Sequence, residues 1–147
     1  MNVKLLFRLV LVWLVFPASV FICGAANALC LEGKVSLDKE FKRSRIVAIA
    51  TVVSETPVAE TSDPDGVAAF RYDFAAKQFF KGNSQKFSVW VDNTSSRVVF
   101  ELGQEYLVFV QRNAGRTFVD ACGGSVLAKD SGGILKRLRS MTGVHKN

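Results

Sequence analysis

The strongest constraint on the fold of this 147-residue chain is the stretch from Gly103 to Gly123, GQEYLVFVQRNAGRTFVDACG. Tyr106-Leu107-Val108-Phe109-Val110 is β-branched and aromatic throughout, Asn113-Ala114-Gly115 is a turn signal, and Thr117 to Ala121 returns as a second strand. Together they predict a β-hairpin. It runs into Cys122, and a hairpin tied there to the start of the mature chain, at Cys30, would close a small barrel.

Residues 1–28 are set apart from the fold. Lys4 and Arg8 form a positive start, Leu9 to Phe16 is an unbroken apolar run, and Ala26-Asn27-Ala28 is an A-x-A cleavage site. The alternative, an uncleaved anchor helix, meets Pro17 and a run shorter than the roughly 20 residues of a span. A lipidated cysteine meets Ile22 before Cys23 and Leu29 before Cys30, where a small residue is expected. The organisation expected is a signal peptide over 1–28, one domain over 29–141 and a flexible tail over 142–147. The mature protein would be secreted or periplasmic, with no stable membrane anchor after cleavage.

Of 19 basic residues, Lys4 and Arg8 leave with the signal, so 17 face 13 acidic ones, a net of about +4. That excess is mild and no run of like charges marks a nucleic-acid arm, so nucleic acid is not expected as a partner. Of three cysteines, Cys23 leaves too. In an oxidising compartment the remaining pair, Cys30 and Cys122, is most simply a disulfide; the alternative is two unpaired buried thiols. Two isolated cysteines make neither a CxxC redox site nor a zinc site.

Ser36 is placed to cap a helix over Leu37 to Arg43, with Asp38 and Glu40 toward its positive end and Leu37 and Phe41 facing inward. It is expected to plug one end of the barrel. Arg45 to Ser54 is nearly all apolar, as in a strand covered on both faces or strongly curved. After a polar loop, Val67 to Phe80 alternates, with Phe70, Tyr72 and Phe74 on one face and Arg71 and Asp73 on the other. Lys86 to Asp92 puts Phe87, Val89 and Val91 opposite Ser88 and Trp90. Val98-Val99-Phe100 reads as a short edge strand. About five principal strands, joined antiparallel, suit a small sandwich or barrel. From Ser131 to Met141 the spacing of Ile134, Leu135 and Leu138 predicts a terminal amphipathic helix.

Several of these features together resemble a known family. They are the cysteine at the mature start, the short helix entering a β-branched strand, and Phe79-Phe80-Lys81-Gly82 closing an aromatic strand. Gly103-Gln104-Glu105-Tyr106-Leu107-Val108-Phe109 and the cysteine after the last strand complete the pattern. It is similar to the netrin-like module of the tissue inhibitors of metalloproteinases, especially its plain bacterial relatives, over roughly Cys30 to Leu138. The resemblance implies a mainly β fold: a small five-stranded OB-type antiparallel barrel with a short N-terminal and a C-terminal helix. The chain departs from the family in having no cysteine between Ser95 and Leu102, and in carrying Cys30-Leu31-Glu32 where the inhibitors carry Cys-x-Cys. In those inhibitors the free amine and carbonyl of the first cysteine chelate the protease zinc. A cut after Ala28 puts Leu29 ahead of Cys30 and turns that amine into an amide; a cut after Leu29 restores it.

The only histidine, His145, lies in the tail, which removes histidine-dependent triads. Asp92, Glu101, Glu105 and Asp120 lie near predicted strand ends as solvated charges, with nothing pairing two of them for acid–base work. No enzyme, no cofactor and no metal site is expected. The expected function is an exported, non-enzymatic binding module for an extracytoplasmic protein, a metalloproteinase being one candidate, through Cys30, Leu31, Glu32 and Trp90. One alternative is inhibition of a metalloendopeptidase around Cys30. The other is oligosaccharide binding on the barrel face, where Trp90, Tyr72, Arg71, Lys77 and Lys86 supply aromatic and basic groups.

Overall fold

The computed structural model describes residues 30, 35–63 and 65–143. The expected signal peptide, the site residues Leu31 and Glu32, and the end of the expected tail with His145 lie outside the described residues.

Helix α1 (Leu37–Arg43) leads into strands β1 (Ile46–Ala59), β2 (Val67–Lys81), β3 (Lys86–Asp92), β4 (Glu105–Asn113), β5 (Arg116–Val119) and β6 (Val126–Leu127), and α2 (Gly132–Thr142) follows. The strands run β1-β2-β3-β5-β4 around a ring, and β4 pairs back with β1 to close it. This is the mainly β, OB-type barrel with one helix before β1 and another after β6. Two details differ from the expected all-antiparallel, five-stranded sheet. β3 meets β5 in parallel, through the single bridge Trp90–Phe118, because closing an odd ring of strands forces one like-directed pair. The two-residue β6 continues along β4 where β5 ends, pairing at Tyr106 and Leu107.

Strand β1 holds the ring together. It pairs with β2 along its length and with β4 through Ile46 to Thr51. A register shift between Val52 and Ser54 leaves Val53 bulged, which bends the strand. The Lys81–Gly82 step that ends β2 needs its glycine: φ is +78°, and a Cβ there would sit 2.9 Å from the Arg45 carbonyl oxygen.

Alternation divides the apolar residues into two cores. Ala50, Val52, Tyr72, Phe74, Val89, Tyr106, Val108 and Val110 point into the barrel. Phe100 joins them. The expected edge strand at Val98 to Phe100 does not form; this is a loop that leaves Val99 57% exposed and drives Phe100, 1% exposed, into the interior. There it meets Tyr72, Phe74 and Tyr106 edge-on, with centroids 5.3, 5.1 and 4.9 Å away, a favoured geometry for aromatic pairs. The second core lies outside the ring, where Val47, Leu107 and Phe109 of β1 and β4 meet Leu37 and Phe41 of α1 and Ile134, Leu135 and Leu138 of α2. Helix α1 therefore covers a wall beside α2 and does not plug an end; Phe100 does the filling from within. Nor does the Ser36 side chain cap α1, whose first turn is closed by the Ser36 carbonyl accepting from Glu40 N–H at 3.0 Å.

Cys30 and Cys122 are bridged, 92 residues apart in sequence, with Cα atoms 5.7 Å apart. In the chain-entropy account a loop of that size stabilises by about 4–5 kcal/mol.

Candidate functional site

The helices cover β1, β4 and the Phe80 end of β2, and among the described residues no helix lies over the outward positions of β3, β5 and the rest of β2. On β3, Ser88 and Trp90 face outward because Phe87, Val89 and Val91 face the core. Their neighbours across the sheet are Asp73 and Arg71 of β2, and Trp90 faces Phe118 of β5 on its other side.

That last pairing is the thinnest point of the ring. One bridge and a hydrogen bond from Thr117 Oγ1 to the Ser88 carbonyl, 2.5 Å long, join β5 to β3. Beyond it the strands part around a cleft of about 420 Å³, whose floor is Trp90 and Phe118. Arg116, the first residue after the turn, lays its guanidinium 5.1 Å from the centroid of the Trp90 ring. Across the cleft Arg97 stacks over Phe70 at 4.4 Å and hydrogen-bonds Asn93, whose amide donates to the Val67 carbonyl at 2.8 Å. The Asn93-Thr94-Ser95 loop is thus clamped to β2. Asp92 is the one carboxylate among the lining residues, facing two arginines.

Trp90 is half-buried beneath Arg116, and among the described residues no helix lies over it. Cys30 comes close through its bridge: Ala121 lines the cleft and Cys122 follows it. The wider aromatic and basic face is divided. Tyr72 is fully buried in the barrel and donates its hydroxyl to Glu55 at 3.1 Å. Lys77 is paired with Glu105, and Lys86 borders a second cavity of about 430 Å³ with the exposed Val53. Asp73 also lines this second cavity and accepts from the Ser54 hydroxyl at 2.6 Å and the Ser88 hydroxyl at 2.5 Å, with Arg71 3.7 Å away. The Ser54 and Ser88 hydrogen bonds, with a smaller share from Arg71, hold its carboxyl below the usual aspartate range.

Comparison with known proteins adds no kinship: no family model matches the chain, and no curated protein matches it. The site is read from its own chemistry. Among the described residues no group of three or more His, Cys, Asp or Glu is placed to hold a metal. Also among them, no helix is long and apolar enough to cross a membrane.

Reading the sequence by segment missed Arg97, Arg116 and Phe118. Arg116 and Phe118 share a face by strand alternation, which was visible. Their meeting with Trp90 depends on the β3–β5 closure, which leaves no local signal. Glu40 lies in the first turn of α1 as expected, but its burial was not anticipated: it is 1% exposed against the loop after β5.

Proposed function

We propose that this chain is an exported, non-enzymatic OB-type binding module, related to the netrin-like modules, that holds a segment of a protein partner in the cleft between β3 and β5. The observation that carries this is the pairing of an aromatic floor, Trp90 and Phe118, with Arg116 stacked over Trp90 and Arg97 across the cleft. A floor of that kind takes an apolar or aromatic side chain, and two arginines against one aspartate favour a neighbouring carboxylate on the ligand. The β4–β5 turn and the β3 face are also where OB barrels in general take ligands. Among the described residues that line the cleft, Asp92 is the one carboxylate, which supports binding over catalysis. The disulfide supports an oxidising compartment.

The test is selection of a random peptide library on the protein, with Trp90→Ala used for counter-selection and Trp90 emission used to titrate the survivors. Peptides bearing an aromatic or aliphatic residue beside an acid should bind the wild type and lose at least tenfold in affinity to Trp90→Ala and to Arg116→Ala. If both variants retain the same peptides, the cleft is not the site. If Trp90 responds to oligosaccharides and not to any peptide, the ligand is a glycan and the protein-partner reading fails.

A further inference from the structure

The loop that walls the cleft at one end encloses a buried carboxyl at the other. Val119 and Ala121 line the cleft, and the residues just after them pack on α1 through Glu40. Glu40 Oε2 accepts from Gly124 N–H at 2.7 Å, whereas Oε1 is buried and finds no hydrogen-bond partner among the described residues. The fit leaves no slack. A Cβ added to Gly123 would lie 2.1 Å from Glu40 Oε1 and 3.0 Å from the Asp120 carbonyl oxygen.

Among the described residues, the charged groups around this carboxyl do not compensate it. Asp120 faces it from the loop, its own Oδ1 accepting from Cys122 N–H at 2.9 Å. From β4 comes the uncharged ring of Phe109, which packs against Gly124. On β2, Lys81 spends its ammonium on the Phe41 and Lys42 carbonyls at 2.7 and 3.0 Å. Arg137 of α2 pairs with Asp38, on the exposed side of α1. An ionised Glu40 is therefore desolvated, has one N–H donor among the described residues and faces a second carboxylate. A neutral Glu40 loses the charge and gains a hydroxyl to donate. Burial, and then repulsion by Asp120, outweigh the Gly124 hydrogen bond and push the Glu40 carboxyl up to about 7.

We propose that the Glu40 contact with Gly123 and Gly124 is a proton-operated latch on the cleft. With Glu40 neutral, α1 holds the loop and, through it, the wall at Val119 and Ala121. When Glu40 ionises, the loop shifts off α1 and the cleft changes shape, while the Cys30–Cys122 bridge keeps the loop tethered. The latch regulates the binding site proposed above and rests on that reading for its consequence, though not for its test. Binding is then stronger below neutral pH, and a ligand selective for the latched form tightens proton binding at Glu40 by the same factor. Stability follows the same sign. The folded state holds this proton more tightly than the unfolded chain, whose glutamates titrate near pH 4.3. Stability is therefore full below that pH and falls as pH rises toward about 7. The folding constant drops by up to about tenfold per pH unit in that window.

The experiment follows the Gly124 amide and the Trp90 indole N–H of the ¹⁵N-labelled protein from pH 5 to 9. Both should move with one shared midpoint near 7. Glu40→Gln should abolish both movements, and His145→Gln, which removes the chain's only histidine, should leave them. Movement of Gly124 without Trp90 would mean that the carboxyl titrates without reaching the cleft, and overturns the proposal. So does a shared midpoint that survives Glu40→Gln or vanishes with His145→Gln. Should Glu40→Gln not fold, Asp120→Asn replaces it: losing the facing charge must lower the shared midpoint, and an unmoved midpoint overturns the latch. Failure of the cleft reading looks different, as a protein whose two signals titrate together yet selects no peptide.

Discussion

The wall formed by β1 and β4 and the wall formed by β2, β3 and β5 belong to one ring but have opposite outer surfaces. On the first, Val47, Leu107 and Phe109 are buried under two helices, so these strands are apolar on both faces. On the second, outward positions include Arg71, Asp73, Ser88, Trp90, Arg116 and Phe118, and no helix among the described residues covers them. A small barrel has little apolar surface to bury, and this one places its second core on one side only. The side left bare can carry polar and aromatic groups at low cost to stability, and the cleft lies there.

This division predicts a separation of effects. Phe100→Ala, which empties the centre of the barrel, should cost about 3–5 kcal/mol, and Leu138→Ala under α2 about 2–5 kcal/mol. Trp90→Ala should cost clearly less, since its ring is half-exposed and lies over no second core. Urea unfolding of the three variants decides it. If Trp90→Ala destabilises as much as Leu138→Ala, the bare wall is holding the barrel together and the contrast collapses.

The same division was legible in the sequence. The apolar run at Arg45 to Ser54 reads as a strand covered on both faces or strongly curved, Tyr106 to Val110 as an apolar hairpin strand, and Val67 to Phe80 as a strand with Phe70, Tyr72 and Phe74 on one face and Arg71 and Asp73 on the other. Both helices followed from spacing. What stayed hidden is what tertiary structure alone creates. Val98-Val99-Phe100 looks like a strand by composition, yet the space inside the barrel draws Phe100 inward. Glu40 looked like a favourable charge at a helix start, because the loop that buries it lies 84 residues away. Trp90 was identified, but its companions were not, since one parallel bridge brings them together.

The rim of the cleft offers a smaller test of the bare wall. The β4–β5 turn has two residues with positive φ, Ala114 at 47° and Gly115 at 83°. That is the pattern of a two-residue hairpin turn favouring Asn-Gly. Alanine in the left-handed region is strained by about 1–2 kcal/mol. Ala114→Asn should therefore stabilise the protein by about 1 kcal/mol, read as a higher midpoint in urea, while the position of Trp90 emission stays fixed. A loss of stability would mean that Ala114 packs against the cleft and is not a strained rim residue.

The smallest effect expected is at Asp73, the polar centre of the bare wall. Its ionised form accepts from the Ser54 and Ser88 hydroxyls, so its carboxyl titrates below the ordinary range in the folded protein. A depressed carboxyl stabilises the fold above the unfolded value, near pH 3.9, and that contribution disappears as pH falls through the folded value. Asp73→Asn removes the charge while keeping one acceptor oxygen for a serine. The gap in urea midpoint between wild type and Asp73→Asn should thus be constant above about pH 5 and close as the solution is acidified below pH 4. The gap should be small throughout, because Asp73 is only half-buried and water screens its partners. Curves that stay parallel to pH 2 would show that the two hydroxyls do not favour the charged form. A gap as large as that of Leu138→Ala would place a second stabilising network on the wall that the comparison leaves bare.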